Sequence, residues 1–93
     1  MDKHEATTLL ASKLAEYRRR TYEELVPLVE RPVHSEAVGT SGARYQLEVS
    51  VHWDDRAGGN VRVIAAIDDG GWRSLSPVAQ DFIKAPDGSF VGE

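Results

Sequence analysis

Two segments in the middle of the chain alternate regularly between apolar and polar residues. In the first, apolar side chains stand at every second position, namely Tyr45, Leu47, Val49, Val51 and Trp53. In the second, the alternating apolar side chains are Val61, Val63, Ala65 and Ile67. A period of two is typical of strands with one buried face. The sequence therefore predicts strands over 44–53 and 61–68.

The segment DDRAGGN at 54–60 favours a turn between these strands. Asp accepts hydrogen bonds from its own backbone, and Gly tolerates a positive φ. Antiparallel pairing across this turn places Trp53 opposite Val61 and Val49 opposite Ala65. Apolar side chains then meet at every rung, and a slip of one residue would turn one strand's apolar row to the other face. The pattern predicts a hairpin with this register.

The first third of the chain has the periodicity of an amphipathic helix over about 6–29. Its face recurs at steps of three and four, in Leu10, Leu14, Tyr17, Thr21, Leu25 and Leu28. Thr21 and Glu24 form a capping-box pattern that would begin a second helix. Pro27 costs about 3 kcal/mol inside a helix. We therefore expect either one kinked helix or two helices, with the change somewhere in 20–27.

Weaker signals predict the remaining elements. Short strands are predicted over 33–38 and over 72–75, the latter after the turn sequence DDGGW. Ser76 followed by Pro77 is typical of a helix start, which predicts one helical turn in SPVAQDF.

The C-terminal segment predicts a short hairpin over 82–92. Its centre, PDG, favours a turn and would place Ile83 opposite Val91. The whole pattern predicts a single α+β domain over 1–93, with the helix packed on one face of a twisted antiparallel β-meander. This order resembles the cystatin-like arrangement by topology alone, and topology does not determine function.

The composition indicates in which cellular compartment the protein is expected. The chain has 93 residues, of which 41% are hydrophobic and 28% charged, and it has no cysteine. Disulfides, cysteine zinc sites and thiol catalysis are therefore excluded. We expect a cytoplasmic protein, because small secreted domains usually need disulfides. The longest apolar run, 63–67, is far below the roughly 20 residues that span a bilayer, so we expect no membrane association.

The charge distribution argues against a nucleic-acid partner. The net charge of −4 arises entirely from an acidic excess in 32–93. Affinity for phosphates needs clustered basic side chains. Arg18, Arg19 and Arg20 spread over about 200 degrees of a helix surface and form no single stripe.

The residues that could suggest a catalytic or metal site do not have the spacing that such a site requires. In a calcium loop starting at Asp54, Arg56 and Ala65 would occupy ligand positions. The aspartate pairs 54–55 and 68–69 lie at opposite ends of the predicted hairpin, about 23 Å apart. Glu48, Ser50 and His52 would be about 6.6 Å apart along one strand, and the three histidines, His4, His34 and His52, lack ligand spacing. We expect no catalytic residue, no metal and no cofactor.

Two functional hypotheses remain. The first is a non-catalytic binding or regulatory module that pairs with itself as a homodimer or with another protein, through the second sheet face, at Ser50, His52, Arg62, Ile64 and Ala66. The second is a small-ligand-binding protein or small enzyme with a pocket between helix and sheet, near Tyr17, Trp53 and Trp72.

The segments EVSVHWDD, GGNVRV, IDDGGW and APDGSFVGE carry a resemblance. Across about 21–93 the chain resembles a group of small uncharacterised bacterial proteins. That group has no assigned activity, so the resemblance implies no role for any residue.

Overall fold

A computed structural model describes residues 2–70 and 78–93 of the chain. Two helices, α1 (Lys3–Arg18) and α2 (Tyr22–Leu25), precede a 3₁₀ turn (Val26–Leu28). Four strands follow: β1 (Val33–Val38), β2 (Arg44–Trp53), β3 (Val61–Asp68) and β4 (Val78–Lys84). They form one antiparallel sheet in the order β1-β2-β3-β4. With α1 packed over β3 and β4, this is the predicted α+β fold.

Helix α1 begins earlier than the sequence pattern predicts. The Asp2 carboxylate accepts a hydrogen bond from the Glu5 amide at 3.0 Å and caps the first turn. Leu10, Leu14 and Tyr17 are buried on the predicted face. Within the described residues, neither α1 nor α2 is long and apolar enough to cross a membrane.

The expected break lies between α1 and α2. Thr21 is extended, with φ −71° and ψ 162°. Its hydroxyl accepts from the Glu24 amide at 3.1 Å, and its own amide donates to the Glu24 carboxylate at 2.8 Å. A continuous helix over 6–29 is therefore wrong, because this capping box satisfies amides that a new helix leaves free. Pro27 stands in the following 3₁₀ turn, at a position where its missing N–H is not needed.

The central hairpin has the predicted register. Trp53 lies opposite Val61, and Val49 lies opposite Ala65. Val49 is 2% exposed and Ala65 is fully buried. The inward residues of both strands, together with the inward face of α1, form the core.

The aspartate pairs act in turns. The Asp55 carboxylate accepts from the amides of Arg56 at 2.8 Å and Asn60 at 3.0 Å, which lowers the pKa of Asp55. At the other end of the hairpin, the Asp68 carboxylate accepts from the Gly70 amide at 2.7 Å. The Tyr22 hydroxyl donates to the Gly59 carbonyl at 2.7 Å and ties the first turn to α2.

Strand β4 corrects the prediction for the segment SPVAQDF. Its residues 78–82 are extended and pair with β3, so the predicted helical turn is wrong there. Val78 lies opposite Ile67, and Phe82 lies opposite Val63 and is 3% exposed. Pairing with β3 and burial of Phe82 outweigh the local cap signal of Ser76. That residue, Pro77 and the predicted strand 72–75 lie outside the described residues.

The C-terminal hairpin extends β4. The Val91 amide donates to the Ile83 carbonyl at 2.9 Å, as expected for residues opposite one another. The Gly88 amide donates to the Ala85 carbonyl at 2.8 Å, and Gly88 has φ +88°, a value that favours glycine. The predicted turn at PDG is confirmed.

Candidate functional site

One face of the sheet lies opposite α1 and is exposed or partly exposed along every strand. We call this surface the open face. Its residues alternate with the inward-facing ones along each strand. They are His34, Glu36 and Val38 on β1, Arg44, Gln46, Glu48, Ser50 and His52 on β2, Arg62, Ile64, Ala66 and Asp68 on β3, and Ala79, Asp81 and Ile83 on β4.

The structure brings the five predicted interface residues together on the open face. Ser50 is the cross-strand partner of Ile64, and His52 is the partner of Arg62. Ala66 is the next outward residue along β3. The five side chains therefore form one continuous surface on two neighbouring strands.

Strand β4 enlarges the apolar part of this surface. Ala79 lies opposite Ala66, and Ile83 lies opposite Arg62 and diagonal to Ile64. We call Ile64, Ala66, Ala79 and Ile83 the apolar patch. Sequence reasoning missed Ala79 and Ile83 as surface residues, because it assigned their segment to a helical turn and a separate hairpin.

Ion pairs within the chain lie at the end of the apolar patch and within it, because Asp81 stands between Ala79 and Ile83 on β4. The Arg62 guanidinium donates from Nε to the Asp54 carboxylate at 2.8 Å and from Nη1 to the Asp81 carboxylate. These hydrogen bonds raise the pKa of Arg62 above its usual value. Asp81, which lies opposite Ile64, is therefore a paired charge and not an isolated one.

The opposite margin of the open face is also paired. Arg44 donates from Nη1 to the Glu36 carboxylate at 2.9 Å. His34 Nδ1 lies 3.5 Å from the Glu48 carboxylate. Charged side chains at the rim of the open face are thus paired with other side chains of the same chain.

A shallow depression of about 230 Å³ lies on the open face across β1, β2 and β3. His34, Gln46, Leu47, Glu48, Ala66 and Asp68 line it. Its volume is below the roughly 300–1,000 Å³ that is usual for small-molecule sites. The surface is better suited to a flat contact than to enclosing a ligand.

Catalytic and metal chemistry gain no geometric support on this face. Glu48, Ser50 and His52 follow one another along β2 as the alternation predicts. Among residues 2–70 and 78–93, no group of three or more His, Asp or Glu side chains is placed to hold a metal ion.

The residues predicted to line a pocket lie mainly in the core. Tyr17 is 4% exposed, and the Arg20 guanidinium lies 4.3 Å from the centre of its ring. Trp53 is partly buried against the core cluster. Trp72 lies outside the described residues, so a pocket formed with it stays a prediction.

A second polar cluster joins α1 to the turn between β1 and β2. The Glu5 carboxylate accepts from the Ser41 amide at 3.0 Å, the Ser41 hydroxyl at 2.8 Å, the Thr40 hydroxyl at 3.2 Å and the Tyr45 hydroxyl at 2.8 Å. These bonds lower the pKa of Glu5 to about 2, and the bond to Glu5 raises the pKa of Tyr45 to about 12.

This cluster has a structural role. A Cβ atom at Gly39 would lie 2.2 Å from the Glu5 carboxylate, so a larger residue there would push this carboxylate away from its hydrogen-bond partners. A depression of about 330 Å³ lies beside it, with Asp2, His4 and Leu9 in its wall. The Glu5 oxygens are already occupied by four hydrogen bonds within the chain. No sequence signal identified this cluster.

Lys84 is a second feature that sequence reasoning missed. Its side chain is 6% exposed, and Nζ donates to the carbonyls of Arg18 at 3.1 Å and Arg20 at 2.7 Å. These carbonyls follow the end of α1, where acceptors lack partners within the helix. The buried charge therefore has partners and a structural explanation.

Comparison with known proteins gives no further assignment. No family model matches the chain, and neither a curated protein nor a solved structure matches it. The cystatin-like order and the resemblance to uncharacterised bacterial proteins therefore stay predictions.

Proposed function

We propose that the chain is a non-catalytic binding module whose docking surface is the open face, and that a second copy of the chain occupies it. One observation carries the proposal: the open face has an apolar patch, and the charged side chains beside and within it, Arg62 and Asp81, already pair with each other. An apolar centre with a polar rim is the usual anatomy of a protein interface.

The internal ion pairs favour a second copy as the partner. Arg62, the arginine beside the apolar patch, is held by Asp54 and Asp81, so it is not free to bind an acidic partner. The acidic side chains Glu48 and Asp68 on the same face would repel a phosphate backbone. A two-fold contact would place the apolar patch against its own copy, as isologous dimers do.

The size of the open face limits the strength of this dimer. Four strands of about seven residues cover roughly 20 Å by 20 Å. That is about half of the roughly 800 Å² that each partner contributes to a standard interface. We therefore expect a weak dimer that forms at high micromolar concentration.

The alternative of a small ligand held between helix and sheet gains less support. Two of its three residues, Tyr17 and Trp53, pack in or against the core. A reducing compartment such as the cytoplasm belongs to the same proposal, because the chain has no cysteine with which to form a disulfide.

The substitution Ile64→Lys tests the open-face dimer. Ile64 is partly exposed and lies outside the core cluster, so lysine there places a charge in the contact without removing a core side chain. At the same high micromolar concentration, analytical ultracentrifugation should show weaker association for the variant than for the parent, because the open-face contact is lost. Circular dichroism should show the same fold for both.

Ser12→Lys is the matched control, because Ser12 is an exposed residue of α1 away from the sheet. It should dimerise like the parent. A parent that is monomeric at high micromolar concentration contradicts the proposal. If Ile64→Lys unfolds, Ala79→Lys decides, since Ala79 is exposed on the same patch.

A further inference from the structure

We propose that β1 is an open sheet edge that pairs antiparallel with β1 of a second copy, so that two four-stranded sheets join into one of eight strands. This contact uses the edge of the sheet and not the open face. It therefore stands independently of the proposed face contact.

The two edges of the sheet differ in how much of their length is covered. Beyond β4 the chain turns back, and the Val91 amide donates to the Ile83 carbonyl, so the C-terminal hairpin covers only the last residues of β4. On β1, no strand of the described chain pairs with the outer side. The first strand thus presents free backbone donors and acceptors.

Strand β1 has only one of the usual protections of an edge, the charged side chain of Glu36. Proteins block edges with charged side chains, especially lysine, or with proline, bulges or very short strands. The segment VHSEAV pairs with β2 at all six positions in an unbroken register and contains neither lysine nor proline.

Exposed apolar side chains are concentrated on the same strand. Among the described residues, the large hydrophobic side chains that remain exposed are Val33, Val38 and Val91, and two of these three belong to β1. Val33 is 39% exposed and Val38 is 58% exposed. A neighbouring strand would cover part of this surface.

The backbone identifies the groups that would pair. The Gly39 amide donates to the Ala43 carbonyl across the turn to β2. Because hydrogen-bond direction alternates along an antiparallel strand, Val33, Ser35 and Ala37 also direct their backbone groups to β2. His34, Glu36 and Val38 then direct theirs to the open edge.

The charges of the facing side chains favour one register for the pairing of the two β1 strands. A two-fold axis at Ser35 places His34 opposite Glu36 of the second copy, and both of these residues carry outward-directed backbone groups. Moving the axis to Glu36 would place two glutamates opposite each other, which is unfavourable. Moving it to His34 would place Pro32, which has no N–H, opposite Glu36 near the middle of the contact, whereas the axis at Ser35 places Pro32 opposite Val38 at its end.

The helix side of the sheet is compatible with this register. Val33 would lie opposite Ala37 of the second copy, so partly exposed apolar side chains meet there. Helix α1 packs mainly over β3 and β4, away from the pairing edge. Both copies of α1 would lie on the same side of the continuous sheet.

Cysteine cross-linking tests the register directly, and the parent chain has no cysteine to interfere. In Ser35→Cys the two thiols would occupy a non-hydrogen-bonded pair with Cα atoms about 4.5 Å apart. That distance allows a disulfide. The variant should form a disulfide-linked dimer under a glutathione redox buffer, seen on a non-reducing gel.

Ala37→Cys is the matched control on the same face of the same strand. Its two copies would be displaced by about 13 Å along the strands and cannot bridge. We expect Ser35→Cys to cross-link at least tenfold faster than Ala37→Cys. Equal rates, or no dimer from Ser35→Cys, would overturn the proposal.

A charge exchange gives an independent readout should Ser35→Cys fail to fold. His34→Glu places two carboxylates opposite each other at two positions and should raise the dimer dissociation constant at least tenfold at low salt. Adding Glu36→Lys restores opposite charges and should return the constant to within a few-fold of the parent. Failure of this rescue in folded protein would contradict the register.

Combining Ser35→Cys with Ile64→Lys separates the edge from the open face. Cross-linking should persist in the combined variant, because Ile64 lies on β3 and β1 forms the edge. If Ile64→Lys abolishes the Ser35→Cys cross-link, the edge contact is not independent and the proposal fails.

Discussion

At the scale of single residues, buried or half-buried polar side chains connect elements that are distant in sequence. Glu5 joins α1 to the β1–β2 turn, and Lys84 joins β4 to the end of α1. Arg18 forms two hydrogen bonds with the Glu93 carboxylate, at 2.8 and 2.6 Å, which raise the pKa of Arg18 and lower that of Glu93. These side chains fix the relative positions of helix and sheet.

Glu5 should make the fold sensitive to acid. Its pKa is about 2 in the folded protein, below the ordinary value of 4.5. Stability from Glu5 is therefore present above pH 4.5 and is lost as the pH falls towards 2. Glu5→Gln should lower the urea midpoint at pH 7, and the midpoint of the variant should fall less than that of the parent between pH 4.5 and 2.5.

The control is Glu23→Gln, because Glu23 is exposed on α2 and lies outside the Glu5 cluster. It should leave the urea midpoint and its pH dependence close to those of the parent. Equal loss of stability by Glu5→Gln and the parent on acidification would show that Glu5 does not supply this dependence.

At the scale of elements, a capping box decides how the N-terminal third folds. It starts α2 at Thr21 and so directs Leu25 into the core, where it is fully buried. The same short helix carries Tyr22, whose hydroxyl ties down the 54–60 turn. The break after α1 is therefore a structural feature on which two other elements depend.

Thr21→Ala should destabilise the protein by about 1 kcal/mol, the usual cost of removing a threonine cap. Thr21 is exposed, so the substitution leaves no cavity. Urea denaturation of the variant should show an unchanged slope and a lower midpoint. Thr21→Ser keeps the cap hydroxyl and should retain most of the stability; equal losses for alanine and serine would exclude capping as the cause.

At the scale of the whole molecule, the aspartates that suggest metal binding are engaged within the fold. Asp54 binds Arg62, and Asp55 accepts from two backbone amides. We expect calcium, magnesium or zinc to change the melting temperature little, since binding at 100 times Kd would add about 2.7 kcal/mol. Differential scanning fluorimetry measures this directly.

A rise of many degrees with micromolar calcium would contradict this expectation if it disappears in the double variant Asp54→Asn with Asp55→Asn. A rise that persists in the double variant would locate a site elsewhere on the molecule. The double variant needs the same fold as the parent, since Asp55 also holds the 54–60 turn.

The sequence by itself determined the features that follow from residue patterns repeating every two residues in strands and every three to four residues in helices. Alternation fixed the β2–β3 register, because a slip of one residue would turn an apolar row to solvent. Steps of three and four identified the buried face of α1, and the capping box marked the start of α2. The open face follows from the same alternation, so Ser50, Ile64 and Ala66 were identified as neighbours.

Only the tertiary structure decided where β4 lies and therefore which strands form the two edges of the sheet. The Ser76–Pro77 signal is local, whereas pairing of 78–84 with β3 depends on residues that are distant along the chain. The Glu5–Ser41 bond spans 36 positions and the Lys84–Arg20 bond spans 64, so no local pattern reveals them. A repeat of two residues in a strand, or of three to four in a helix, shows which side of that element is buried. It does not show which other element covers that side, because this depends on how the whole chain packs.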